Sequence, residues 1–195
     1  MKLITSPTSP YGRKVRIALL EKSVPCEVAN EAASPHNPLG KIPALVLDDG
    51  TSLFDSVVIV EYIEGVASKP QLIPSEPNER ALVRRWEALA DGIADATVLA
   101  MLESRRAAEL RDPSVVERQL GKVRAALAFA EAGLAESFAH GSTFSLADAA
   151  LVSAVGYLNL RFPDVLPSSH TPRLHAYLTR LATRPSIATT APPAA

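Results

Sequence analysis

Apolar positions along the chain change their spacing once, and the change divides it. Over the first part they come in short clusters. "KLIT" (residues 2–5), "CEVAN" (26–30) and the two halves of "ALVLDDGTSLF" (44–54) each read as a strand. The Asp49-Gly50 pair between the last two predicts an antiparallel hairpin. Between the first two clusters Val15, Ala18 and Leu19 recur at helical spacing and predict a helix over about residues 10–23. After the hairpin, "DSVVIVEYIEGV" switches to a helix again.

From about Glu79 the strands disappear, and Ala, Leu, Arg and Glu follow a 3.6-residue period. Helices are predicted near 79–107, 113–139, 145–159 and 171–183. "PSEPNER" (74–80), two prolines among polar residues, reads as a linker. The tail "TTAPPAA" (189–195) is too rich in proline to continue a helix. No internal repeat is evident. A strand–helix–strand unit, a hairpin and a closing helix within about 75 residues match the thioredoxin-like arrangement. The predicted fold class is therefore an α/β thioredoxin-like N-terminal domain over 1–75, followed by an all-α C-terminal domain over 79–195.

Composition narrows the partners. With 47% of its 195 residues hydrophobic, the chain can bury the core of one large or two small domains. A formal charge of −1 gives no basic field for nucleic acid. "MKLITSPTSP" reaches polar and proline residues too soon for a signal peptide, and no apolar run approaches the roughly 20 residues that cross a bilayer. A soluble, cytoplasmic protein with no membrane partner is expected. Cys26, the only cysteine, has no second thiol for an internal disulfide or a C-x-x-C pair, which suits a reducing compartment.

Three short motifs carry the candidate chemistry. In "TSPYGRK" (8–14), Ser9 and Pro10 have the chemistry of an N-cap and the first helical position. Ser9 is then either a helix cap or a hydroxyl beside an anion, such as a thiolate, docked on the positive helix end. In "NPLGKIPAL" (37–45), Ile42-Pro43 leads straight into a strand, where a cis peptide would present the backbone of residue 42 to an extended ligand. Proline at the start of a strand is also ordinary. In "FDSVVIVEYI" (54–63), Asp55 and Ser56 stand at a strand-to-helix junction that can hold a carboxylate; Ser56 can equally be only the helix cap.

Together these motifs resemble the glutathione S-transferase family, bacterial type with serine in the active-site position, and the resemblance runs over essentially the whole chain. It implies a transferase that passes the thiolate of glutathione to a small, mostly apolar electrophile, as in detoxification. Glutathione is then a co-substrate, and no further cofactor is implied. By position, Ser9 matches the residue that hydrogen-bonds the sulfur, and Ile42 the residue whose backbone pairs with the cysteinyl unit ahead of cis-Pro43. Lys41 falls in the same binding stretch. Asp55 and Ser56 match the pair that grips the γ-glutamyl end. The family also implies a two-fold homodimer. Its alternatives are a glutathione-binding protein with little catalysis and a transferase-like interaction module.

In the second half, Ser145-x-x-Asp148 in "STFSLADAALVSAVGYLN" (142–159) is a capping box, a structural role rather than a catalytic one. Glu87, Asp91 and Asp95 share one helical face without a histidine among them, so a solvated or cleft-lining stripe is favoured over a metal ridge and no metal is expected. By the family's dimer geometry, Asp91 or Asp95 would meet the glutathione ammonium of a partner subunit. The histidines, at 36, 140, 170 and 175, read as surface or loop residues, and Cys26 as a packed thiol. Tyr11 is expected to pack between domains, and Trp86 between domains or at a pocket.

Overall fold

The computed structural model of the chain describes residues 1–166 and 169–193. The first part runs β1 (Lys2–Ile4), α1 (Pro10–Glu21), β2 (Glu27–Ala29), β3 (Ala44–Val46), β4 (Ser52–Leu53) and α2 (Ser56–Val66). Helices follow: α3 (Pro77–Ser104), α4 (Pro113–Gly133), α5 (Leu146–Arg161), α6 (Pro172–Leu181) and the short α7 (Pro185–Ala188). The sheet order is β2-β1-β3-β4, with β2 parallel to β1 and the other pairs antiparallel. This is the thioredoxin-like α/β layer followed by an all-α layer. Among the described residues no helix is long and apolar enough to cross a membrane.

Local chemistry moves several predicted boundaries. Pro77 opens α3, and the Glu76 carboxylate caps it by accepting from Asn78 N at 3.0 Å and Glu79 N at 2.8 Å. Half of the predicted linker is therefore helix. At the other ends α3 stops at Ser104 and α4 at Gly133, earlier than their periodicity suggests. The hairpin turn forms around Asp49-Gly50 as predicted: Gly50 takes φ +86, and Leu47 N donates to Thr51 O at 2.8 Å. Helix α7 was not predicted; its Pro185 stands at the first helical position. Of the predicted non-helical tail, Ala194 and Ala195 lie outside the described residues.

Helix α5 is apolar on nearly every side and runs through the interior, as a helix of that composition must. It packs along α3 and crosses α1, so it joins the two halves. Its start is fixed by Asp148, which is fully buried. The carboxylate reaches back to Ser145 N at 2.9 Å, while the Ser145 hydroxyl donates to it at 3.2 Å, so the Asp148 half carries the stronger bonds of the capping box. It also accepts from Ala139 N at 2.7 Å and from the Tyr177 hydroxyl at 2.8 Å. Burial pushes the Asp148 carboxyl up, and these donors pull it back in part.

Asp148 is thus more than a cap, since three different residues depend on it. Asp148→Ala strands buried donors worth about 1–3 kcal/mol each. The expected loss is about 3 kcal/mol or more in denaturant unfolding, above the roughly 0.5–2 kcal/mol of a cap alone. A loss within the cap range would show that Ala139 and Tyr177 find other partners.

Candidate functional site

The register of the sheet places three chain segments side by side. Ile4, the last residue of β1, pairs with Ala44, the first of β3. Leu45 pairs in turn with Leu53, the last of β4. The segment leaving β1 toward Ser9, the Ile42-Pro43 pair entering β3, and the Asp55-Ser56 pair leaving β4 therefore all emerge at one end of the sheet. Helices α1 and α2 both begin there, so their positive N-terminal ends face the same region.

Each predicted residue has a definite local role. Ser9 is 7% exposed and caps α1: its Oγ accepts from Gly12 N at 3.1 Å. That bond uses a lone pair, and among the described residues the hydroxyl proton is given to no acceptor. Cap and ligand donor are compatible roles for one serine. The Ile42–Pro43 bond is cis, and Pro43 is buried. Among the described residues the Ile42 N–H and C=O enter no hydrogen bond. Asn37 braces the loop ahead of them, donating to Lys41 O at 2.8 Å and accepting from Leu39 N at 3.0 Å. The Lys41 side chain is exposed and has no partner among the described residues.

At the third segment the cap is Asp55, whose Oδ1 accepts from Val57 N at 2.9 Å. Ser56 is the first helical residue. The reading of Ser56 as a cap is thereby corrected: it is 3% exposed, and its hydroxyl has no partner among the described residues.

Of the acidic stripe Glu87 is buried, Asp91 partly buried and Asp95 exposed, so the stripe lines the seam between the halves rather than facing water along its whole length. They face α1. The Lys14 ammonium is buried against Glu87 Oε1 at 2.9 Å and both Asp91 oxygens at 2.9 and 2.7 Å. Arg84 meets the other oxygen of Glu87 at 2.6 Å. The Tyr11 hydroxyl donates to Asp95, and burial together with that carboxylate pushes the phenol well above its ordinary range. Tyr11 is therefore an interdomain contact, held protonated. Burial also raises the Asp91 carboxyl, with Lys14 opposing the shift.

Other residues singled out by sequence fall in the core or on the surface. Trp86 is 2% exposed and packs on Phe129 of α4, 6.2 Å between ring centroids. Cys26 is half-buried, and burial pushes its thiol up. His140 meets Glu79 at 2.8 Å, and among the described residues no group of three His, Cys, Asp or Glu side chains is placed to hold a metal. Sequence reasoning missed Lys14 and Arg13. The signal was there: a basic pair beside Val15 on a helix whose neighbours are apolar. Arg13 is buried, with its two terminal nitrogens on Val152 O and Ile187 O, both at 3.2 Å.

A thioredoxin-like layer with two helix ends aimed at one point, joined to an all-helical layer, defines a class that the comparisons identify. Residues 3–71 match the glutathione S-transferase N-terminal domain and residues 113–180 the glutathione S-transferase C-terminal domain. The chain belongs to the glutathione S-transferase family. The GST-like protein YibF of Escherichia coli, itself labelled uncharacterized, is 40% identical over the full length of both chains. A glutathione S-transferase from Methylobacillus flagellatus, solved with glutathione bound, is 41% identical with a TM-score of 0.94, over 98% of this chain and 99% of that one. Another from Methylobacterium radiotolerans, in complex with glutathione sulfonate, is 37% identical with a TM-score of 0.92, over 100% of this chain and 95% of that one.

The ion cluster under the site yields a stability prediction. Lys14→Met leaves Glu87 and Asp91 buried without their shared cation and is expected to cost about 3–5 kcal/mol in unfolding free energy. The Asp91 carboxyl rises further above its unfolded value, so the folded state binds protons more readily and the variant loses stability as pH rises through that window. Denaturant midpoints measured from acid to neutral pH should show the deficit shrinking on acidification. A deficit that grows in acid would contradict this.

Proposed function

We propose that the chain is a glutathione transferase in which Ser9 favours the thiolate of bound glutathione and the helical half receives the electrophile. The observation that carries this reading is the convergence of Ser9, the free backbone of Ile42 and the free hydroxyl of Ser56 at one end of the sheet. Glutathione-bound structural neighbours support it. The Ile42 N–H and C=O pair with the cysteinyl unit as an added strand would. Ser56 and the first N–H groups of α2 take the γ-glutamyl carboxylate, beside Asp55 for the ammonium. Lys41 supplies an exposed cation to the peptide's other carboxylate.

The chemistry asks little of the protein. A free thiol is mostly protonated at neutral pH, so favouring the thiolate raises the concentration of the nucleophile. The Ser9 proton points to sulfur while its oxygen stays on Gly12 N, and the α1 terminus adds field. The thiol proton leaves to solvent, and the thiolate then attacks the electrophile. Lowering the thiol pKa by one unit takes about 1.4 kcal/mol, within the range of a charge-assisted hydrogen bond plus a helix end. Tyr11 is engaged by Asp95 and has no part in the proton transfer.

Two substitutions separate the two grips. Ser9→Ala should raise the pKa of bound glutathione by about one unit, followed by ultraviolet thiolate absorbance, and lower kcat/KM about tenfold near neutrality. The sign follows from the thiolate fraction: the variant's deficit closes as pH rises past both pKa values. Ser56→Ala should instead weaken glutathione by roughly 1–3 kcal/mol in calorimetric titration, with the thiol pKa unmoved. If Ser9→Ala leaves the pH profile in place, sulfur is not at Ser9. Normal glutathione affinity with negligible turnover over a panel of electrophiles would favour a binding protein, and absence of binding an interaction module.

The same reading includes a cytoplasmic homodimer. Leu99 and Leu102 on α3 are 50% and 54% exposed, and Val58 on α2 is 47% exposed, an apolar set that a second copy would cover. Asp91 has both oxygens on Lys14, which leaves Asp95 the freer carboxylate to meet a partner's ligand. Sedimentation at micromolar concentration with glutathione present should give twice the 20.7 kDa chain mass. A species at the chain mass excludes the dimer.

A further inference from the structure

Helix α5 carries, just beyond its crossing with α1, the helix that Ser9 caps, a cation without a protein hydrogen bond or ion pair among the described residues. Arg13 of α1 donates to Val152 O at 3.2 Å and lies so close under Gly156 that a Cβ there would stand 2.3 Å from its Nη1. This fixes the crossing of α1 and α5. Tyr157 is the next α5 residue after this crossing, and on α1 Arg13 follows Ser9 by four positions. Arg161 is one turn further along the same face, about 6 Å on. Its guanidinium rests over the Tyr157 ring, 5.2 Å from the centroid.

Arg161 is half-buried, its Nε is shut off from solvent, and among the described residues that nitrogen has no hydrogen-bond partner. Among the described residues the guanidinium joins no hydrogen bond and no ion pair. Arg13, which also has an orphan Nε, spends its terminal nitrogens on two carbonyls; Arg161 spends none. Asp164, three residues on, forms no ion pair with Arg161 among the described residues, and on α3 Asp91 is held by Lys14 and one oxygen of Asp95 by Tyr11. A cation in the last turn of α5 suits the helix dipole, yet the dipole uses none of its five N–H donors. A planar fork held on an aromatic face is built to take a planar anion in two parallel bonds.

We propose that Arg161 recognises the second substrate, and that this substrate is an electrophile carrying a carboxylate. The inference rests on the reading that Ser9 activates glutathione. The carboxylate docks on the Arg161 fork and is a spectator to the reaction. In a chloroarene, for example, sulfur forms a bond to the ring carbon that bears chlorine, the C–Cl bond breaks, and chloride leaves with the bonding electron pair.

The test compares a chlorodinitrobenzoate with the matching chlorodinitrobenzamide, so that intrinsic reactivity cancels when variants are compared. The readout is the ratio of kcat/KM for acid over amide, which is indifferent to the fraction of folded enzyme. In Arg161→Gln the ratio should fall about tenfold or more, the scale of one charged hydrogen bond, through KM for the acid. Arg161→Lys, which keeps the charge and loses the fork, should fall between the two. A ratio unchanged in Arg161→Gln, with both electrophiles turned over, overturns the proposal and leaves the transferase reading standing. A wild-type protein that binds no glutathione and turns over neither probe overturns both.

Discussion

A lysine ammonium that is 1% exposed must be met by charge, and Lys14 is met by two carboxylates from a helix that begins 63 residues later in the chain. Helix α1 can be buried only because the second half of the protein supplies partners for its polar groups. Arg13 takes carbonyls from α5 and α7, and Glu21 takes Arg184 and Ser186. Lys22, just past the helix, is held within the first half instead, by the Pro70 carbonyl and Glu64 of α2. Unpaired, any of these would cost several kcal/mol. The two halves are consequently coupled through one helix, and the direction of that helix is fixed by contacts at both its ends.

The fixed direction matters because α1 also begins at the site. Its N-terminus leans on β1 closely enough that a Cβ at Gly12 would stand 1.8 Å from Thr5 Oγ1, a separation no side chain tolerates. Glycine there lets the helix approach the strand end, and the Gly12 N–H thus brought in is the one that Ser9 caps. The same backbone atom ends a packing constraint and orients a hydroxyl. Structural and chemical roles for Ser9 are parts of one arrangement.

How far the sequence disclosed this depends on whether a feature is local. The strands, the Asp49-Gly50 turn, the Ser145–Asp148 box and the motif at Ile42-Pro43 each lie within a few residues, and each was legible. Helix boundaries were less so, because Glu76 caps α3 from inside what composition reads as a linker. The acidic stripe shows the limit more clearly. Its spacing put Glu87, Asp91 and Asp95 on one face, but whether that face meets water or a buried lysine is decided by Lys14, 73 positions away from Glu87. At Asp55-Ser56 the choice of cap was a matter of one residue of phase, which period alone does not settle. The shift leaves Ser56 free and so strengthens its candidacy.

Satisfaction of polar groups then sorts the molecule into two kinds of place. Along the seam almost every buried charge has its partner, as expected where the groups serve only to hold the halves together. Thr5 Oγ1 and the Arg13 Nε are orphans inside tight packing, beside Gly12 and Gly156, where no further atom fits. At the sheet end, by contrast, the Ile42 backbone, the Ser56 hydroxyl and the Ser9 proton stand at strand ends and helix starts without a protein partner among the described residues. Arg161, at the far end of α5, is open in the same sense. Pairing of the buried charges along the seam gives the groups at the sheet end no part in holding the halves together, and their chemistry, strand-edge backbone and hydroxyls beside two helix starts, suits a ligand that brings a peptide backbone, carboxylates and a thiol.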